Sequence, residues 1–278
     1  MSKVLVVGAS GTVGSNLVKN LRAKGHDVVR ATSSTTPGRD QVHLNLVTRV
    51  GLDQVFDGIE RAFFLSPPGH TNQHELLIPL IDKAREKKLD KVVLMTAIGV
   101  NASDEIPLRK AEIRLEQSGV PYNIIRPNWF MQNFNTYWIK GILESDTIFL
   151  PAGHEAKASF IDARDIAAVA AALLDSHQFD GQDFDLTGSE SLTHDEVAEL
   201  IAKVTGKPVR FQDITPEAFL DNLLEAGLPP DYAQFMLVIF GYLKQGANER
   251  RTDAVEKITG QKPIRFEQYA KDHRQAWV

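Results

Sequence analysis

Seven residues near the start of the chain, Gly8-Ala9-Ser10-Gly11-Thr12-Val13-Gly14, have the types and spacing to receive a phosphate. They follow a short β-branched run, Lys3 to Val7, and lead into residues with the apolar spacing of a helix, Val13 to Ala23. A turn without side chains lets backbone N–H groups approach a pyrophosphate, and the amino end of a helix adds partial positive charge there. The third glycine allows the helix to pack close to the strand. Three glycines alone also occur in plain structural turns. Here a strand precedes them, a helix follows and a further strand comes about 20 residues on, which favours dinucleotide binding.

The end of that further strand selects the dinucleotide. An Asp or Glu there binds the ribose 2′-hydroxyl of NAD and repels a 2′-phosphate. The sequence instead runs Arg30-Ala31-Thr32-Ser33-Ser34-Thr35-Thr36-Pro37-Gly38-Arg39, with no acid before Asp40. Hydroxyl donors with Arg39 favour NADPH over NADH. Arg30, inside the strand, is the weaker candidate, and a loop arginine in water is the alternative for Arg39.

Reduction of a carbonyl to an alcohol needs a general acid to protonate the alkoxide as hydride arrives, and a Tyr four residues before a Lys is one such pair. None of Tyr122, Tyr137, Tyr232, Tyr242 and Tyr269 has a Lys four positions later. A dedicated carbonyl or alcohol reductase is disfavoured. An acceptor that takes hydride readily needs less help with protons. Trp129, Phe130, Phe134, Tyr137 and Trp138 cluster after the fifth strand, where ligands of open α/β sheets bind, and aromatic faces suit flat substrates. Phe130, Phe134 and Tyr137 or Trp138 would share one helical face, so part of the cluster is expected to be core. Trp129, Phe130 and Tyr137 are the expected walls of the substrate site, with His70 beside them. His70 and His74 do not make a metal pair, because Pro67-Pro68-Gly69 holds His70 in a loop or first turn and no third ligand is evident.

Alternating short apolar runs and helical patterns must position these groups, a βαβ signature with a parallel sheet. The expected strands are Lys3 to Val7, Asp27 to Thr32, Arg61 to Leu65, Lys91 to Met95 and Tyr122 to Arg126. Between them lie helices over Val13 to Ala23, Val50 to Phe56, Gln73 to Lys87 and Lys110 to Gln117. Further on, Phe184 to Leu186 and Val209 to Asp213 read as strands. Thr193-x-x-Glu196 is a capping box opening a helix to about Val204, and Thr215 with Pro216 starts another. Asp165 is expected to cap the helix that contains Ile166. The fold class is therefore α/β, a Rossmann-type doubly wound parallel sheet. Residues 1–190 form the nucleotide-binding domain, and 191–278 form a smaller, mainly helical lobe that chooses the substrate.

Composition agrees. With 278 residues, 43% apolar and 24% charged, the chain is neither disordered nor short of core. The absence of cysteine excludes thiol nucleophiles, disulfides and thiolate metal sites, and suits a reducing cytoplasm. A net charge of −5, from 31 basic and 36 acidic residues, leaves no electrostatic footprint for nucleic acid or an anionic membrane. No apolar run is long enough to span a bilayer. The start reads as a first strand rather than a secretory signal, since Gly8, Gly11 and Gly14 interrupt it.

The glycine turn is spaced Gly-x-x-Gly-x-x-Gly rather than Gly-x-Gly-x-x-Gly. Together with Phe64-Leu65-Ser66-Pro67-Pro68, the stretch Gln117 to Pro127, Asn128-Trp129-Phe130-Met131-Gln132-Asn133-Phe134, Phe160-Ile161-Asp162-Ala163-Arg164-Asp165-Ile166-Ala167, Leu192 to Val197 and Gly206 to Val209, it resembles the NmrA-like group of atypical short-chain dehydrogenases/reductases. The chain is similar in particular to type 2 NAD(P)H:quinone oxidoreductases, triphenylmethane reductases and related azo dye reductases. That resemblance implies that Gly8, Ser10, Gly11, Thr12, Val13 and Gly14, with Ser33 and Arg39, hold the phosphates and ribose of the adenosine half. Leu65, Ser66 and Pro67 would line the nicotinamide half. Asn45 stands where many relatives carry an Asp near the adenine, and Ser33 where many carry an Arg. Thr96 lies where the family often places a Ser near the nicotinamide ribose; a strand-end cap is the alternative. Arg164 matches an Arg that reaches the cofactor; an Arg–Asp pair with Asp165, capping the helix of Ile166, is the alternative. Lys110-Ala111-Glu112-Ile113-Arg114 is similar to a stretch of isoflavone-reductase-like relatives whose Lys contacts the cofactor and assists proton transfer; a solvated Lys is the equal alternative.

The expectation is an NADPH-dependent reductase that passes hydride to a quinone-like or dye-like (azo, triarylmethane) aromatic acceptor, with Lys110 and Tyr137 as proton carriers and neither flavin nor metal. A monomer or homodimer is expected, without nucleic acid or membrane partners. The alternative is a non-catalytic NADP(H)-binding redox sensor that acts through a protein partner.

Overall fold

Short apolar runs become parallel strands here because both of their faces are covered. In the computed structural model, which describes residues 1–278, β1 (Lys3–Val6), β2 (Asp27–Thr32), β3 (Gln41–His43), β4 (Arg61–Leu65), β5 (Lys91–Met95), β6 (Tyr122–Pro127) and β9 (Gln182–Leu186) form one seven-stranded sheet. Its order is β3-β2-β1-β4-β5-β6-β9, parallel throughout. The order reverses between β1 and β4. In such sheets ligands bind at that switch point, outside the carboxyl ends of the strands.

Four helices cover the sheet. α1 (Thr12–Ala23) packs with α5 (Ala163–Asp175), and α2 (Gln73–Glu86) packs with α3 (Pro107–Glu116). α1 lays Val13, Leu17, Val18 and Leu21 on the core, with Leu17 and Leu21 fully buried. Each such leucine contributes about 1.5–3 kcal/mol of hydrophobic stabilisation. These elements make up the first of two compact units, Met1–Pro127 with Ala163–Leu186 and Lys257–Gly260.

The second unit comprises Asn128–Asp162, Thr187–Glu256 and Gln261–Val278. Two small sheets organise it: β7 (Thr147–Leu150) parallel to β11 (Arg210–Asp213), and β8 (Lys157–Ala158) antiparallel to β10 (Leu192–Thr193). Around them pack α4 (Ile139–Ser145), α6 (His194–Thr205), α7 (Pro216–Glu225), α8 (Pro230–Lys244) and α10 (Phe266–Asp272), while α9 (Ala254–Thr259) falls on the division. The core here is strongly aromatic, with Phe134, Phe160, Phe240, Phe266, Tyr269 and Trp277 buried. No helix is long and apolar enough to cross a membrane.

Three sequence expectations need correction. The cut at residue 190 does not match the division of the chain, because Asn128–Asp162 belongs to the second unit. Phe134, Ile142 and Ile148 pack there against residues of α6, α8 and α10, which outweighs proximity in sequence. The helix expected over Val50 to Phe56 shrinks to one 3-10 turn, Gln54–Phe56. Gly51 takes φ +88°, and a Cβ on it would lie 2.0 Å from the His43 carbonyl oxygen, so no helix can run through it. Asp165 is not the cap of its helix. α5 already begins at Ala163 and Asp165 lies inside its first turn, where a carboxylate favours the helix dipole.

Candidate functional site

The glycine turn sits at the carboxyl end of β1, at the switch point. Gly8 takes φ +73°, open to a residue without Cβ, and Gly11 N–H closes the turn on the Gly8 carbonyl at 3.0 Å. A Cβ on Gly14 would stand 2.1 Å from that same oxygen, so the approach of α1 to the turn requires glycine. No side chain caps α1, whose N-cap is Gly11, and its first turn carries no acid. Its leading N–H groups are therefore directed past a turn that puts no side chain in their way. A cradle of bare donors at a helix amino end fits a pyrophosphate.

Neighbouring strands bring other expected residues to the same edge of the sheet. The Leu65 side chain lies 3.0 Å from where a Gly8 Cβ would stand. Ser66 follows at the end of β4 and donates its hydroxyl to the Pro67 carbonyl at 3.2 Å. Met95 is in register with Leu65, so Thr96, the residue after β5, follows beside this pair. On the other side of β1, the loop after β2 is laced by its own hydroxyls. Thr32 Oγ1 accepts from Ser34 N–H and Ser34 Oγ from Thr36 N–H, both at 3.2 Å. Ser33 is exposed in that loop. Asp40 pairs with Arg22 and, at 3.4 Å, with Arg30; the Arg22 hydrogen bond holds its carboxyl below the usual range. Arg39 is exposed and outside this pairing. Asn45 uses its side-chain oxygen locally, accepting from Val47 and Thr48 N–H, each at 3.0 Å.

Lys110, in the first half of α3, pairs with Glu105 at 2.9 Å and is 40% exposed. Arg164 is the second residue of α5, and His70 lies in the turn before α2. Beside Lys110 lies a feature the sequence reading passed over. Glu112 is wholly buried, and Arg126 of β6 donates to it through Nε at 2.9 Å and Nη2 at 2.8 Å. Arg109 Nη1 adds a third bond at 3.0 Å and Thr96 Oγ1 a fourth at 2.6 Å. Burial works against a charged Arg126, but the carboxylates of Glu112 and Asp183 outweigh it and hold the guanidinium more firmly protonated than usual. A signal was present: an Arg inside the apolar strand Tyr122 to Pro127 demands a buried partner. Arg109, Arg126, Glu116, Asp183 and Tyr122 also line a polar cavity of about 370 Å³, and it includes none of the expected site residues.

In the second unit, the aromatic segment does not form one helix. A 3-10 turn, Met131–Asn135, precedes α4, so Phe130, Phe134, Tyr137 and Trp138 share no continuous helical face. Phe134 is core, with its ring 4.8 Å from Trp138, 5.3 Å from Phe160 and 5.4 Å from Phe266. Trp129 is half-buried against Phe240 at 4.9 Å and Trp138 at 5.8 Å. Phe130 is half-buried too, and Tyr137 is 72% exposed. His194 is fully buried among Phe134, Trp138, Phe160 and Phe211, with neither ring nitrogen hydrogen-bonded. Burial pushes its pKa down to about 4.

The sequence profile of the NmrA-like family matches residues 1–270. Prestalk A differentiation protein A of Dictyostelium discoideum is 30% identical over 97% of this chain and 91% of its own. NAD(P)H azoreductase of Xenophilus azovorans is 29% identical, over 99% of each chain. Among solved structures, the Citrobacter sp. triphenylmethane reductase complexed with NADP(H) superposes with a TM-score of 0.82. It covers 97% of this chain and 99% of its own at 20% identity, a likeness of fold.

Proposed function

Because this chain belongs to the NmrA-like family, we propose that it is an NADPH-dependent reductase that delivers hydride to a quinone-like or dye-like aromatic acceptor. The observation that carries the reading is the cradle at the switch point, where Gly14 stands so close to the Gly8 carbonyl that no side chain fits. The azoreductase among its relatives supports a dye-like acceptor.

The N–H groups around Gly11 to Gly14 would hold the pyrophosphate, with Ser10 and Thr12 adding hydroxyls. Exposed Arg39 and the hydroxyls from Ser33 to Thr36 would take the 2′-phosphate of the adenosine ribose, with Asn45 toward the adenine. Leu65, Ser66, Pro67, Thr96 and Arg164 would keep the nicotinamide half. Bound NADPH supplies the hydride, and the chain supplies orientation and the exclusion of water. No cysteine is present, so no thiol relays the electrons. Trp129, Phe130 and Tyr137 would offer aromatic faces to a flat acceptor, and the Tyr137 hydroxyl would be the group there able to give up a proton.

The test is loss of NADPH absorbance with a panel of quinones, azo dyes and triarylmethane dyes. Acceptor-dependent oxidation with at least one class is expected. Tight NADPH binding without turnover across the panel overturns the enzyme and leaves a cofactor sensor.

A further inference from the structure

An ionised carboxylate offers about four lone-pair positions, and Glu112 has all four filled. Oε1 accepts from Thr96 Oγ1 and Arg126 Nε, and Oε2 from Arg126 Nη2 and Arg109 Nη1. The carboxylate is wholly buried beside two guanidiniums. The single proton of the Thr96 hydroxyl is thereby committed, at 2.6 Å. What remains on Thr96 Oγ1 is two lone pairs. Thr96 follows Met95, which is in register with Leu65, the residue against Gly8 at the cradle. We propose that Glu112 is a positioning residue that acts through Thr96 to make the carboxyl end of β5 an acceptor of hydrogen bonds and never a donor. The ligand group it selects must donate: a hydroxyl of the nicotinamide ribose or the N–H of the carboxamide. Thr96 is then excluded as a proton source for the reduced acceptor. The inference rests on dinucleotide binding at the cradle.

The test is calorimetric titration of the full chain and its variants with NADPH and with 2′,5′-ADP, which carries the adenosine half alone. Thr96→Val should weaken NADPH by about tenfold and leave 2′,5′-ADP unchanged, while Thr96→Ser should bind both like the unaltered chain. Glu112→Gln can donate to Thr96 and lose the fixed polarity. It should weaken NADPH to a similar degree, and Thr96→Val combined with it should be no weaker than Thr96→Val alone. If Glu112→Gln does not fold, the Val and Ser variants still decide, since they leave Glu112 held by both arginines. With the 3-acetylpyridine analogue of NADPH, which lacks the amide N–H, disappearance of the Thr96→Val effect assigns the carboxamide, and its persistence assigns the ribose hydroxyl. NADPH binding by Thr96→Val equal to that of the unaltered chain overturns the proposal, as does a Glu112→Gln loss shared equally by 2′,5′-ADP. Failure of the unaltered chain to bind NADPH overturns the dinucleotide reading itself, and the proposal with it.

Discussion

Replacing His194 with Leu should make the second unit resistant to mild acid. The imidazole is fully buried among four aromatic rings, and burial lowers its pKa from 6.5 to about 4, against the smaller opposing pull of Asp195 and Asp213. Between those two values the unfolded chain binds a proton that the folded chain refuses. The stabilisation is therefore complete above pH 6.5 and drains away as pH falls toward 4. With the two values at 6.5 and about 4, the loss is about 2 kcal/mol between pH 8 and pH 5 and about 3 kcal/mol by pH 4. Leucine is close to histidine in size and leaves no polar atom unsatisfied, so stability at pH 8 should be equal or higher. All three tryptophans, Trp129, Trp138 and Trp277, lie in this unit, which makes their fluorescence its own reporter. Urea unfolding followed by that fluorescence at pH 8 and pH 5 gives two stability differences. Carboxylates that titrate in both proteins cancel, and the remainder belongs to His194. Parallel profiles for His194→Leu and the unaltered chain would refute the reasoning.

Removing the partner of a buried charge should be more damaging. Arg126→Met leaves the Glu112 carboxylate with two of its four bonds, and thermal unfolding should report a loss of about 3–5 kcal/mol. A change below about 1 kcal/mol would mean that Glu112 repairs itself. Arg39→Ala should raise the Michaelis constant for NADPH by about tenfold with NADH use nearly unchanged; equal effects on both dinucleotides would remove Arg39 from the 2′-phosphate site. Thr193→Ala removes the hydroxyl that accepts from Glu196 N–H in the capping box opening α6, and its urea midpoint should show a loss of about 1 kcal/mol.

What could be read from sequence was what local chemistry decides. β2, β4 and β5 have the expected bounds because an apolar run between polar ends leaves little choice. The capping box at Thr193 and the start at Thr215 form as their residue types require. β3 was not foreseen, since Gln41-Val42-His43 has no apolar run and becomes a strand only by pairing with Arg30 to Thr32. The helix before Phe56 failed on one backbone angle at Gly51, which periodicity does not register. The glycine turn was legible in full, because its signal is a set of missing side chains. Glu112 was not, since its partners come from α3, β6 and the residue after β5, and a helix rich in charge gives no sign of which Glu turns inward. His194 was hidden for the same reason: its four aromatic neighbours come from distant stretches of the chain.

The central claim is that the dinucleotide lies across the carboxyl ends of β1, β4 and β5, over the turn from Gly8 to Gly14. Amide hydrogen exchange of the unaltered chain with and without NADPH locates it without requiring turnover. Saturating NADPH should slow exchange in peptides that cover residues 8–15 and the segments around Ser66 and Thr96. Unchanged exchange over residues 8–15, with protection confined to other parts of the chain, would contradict the account.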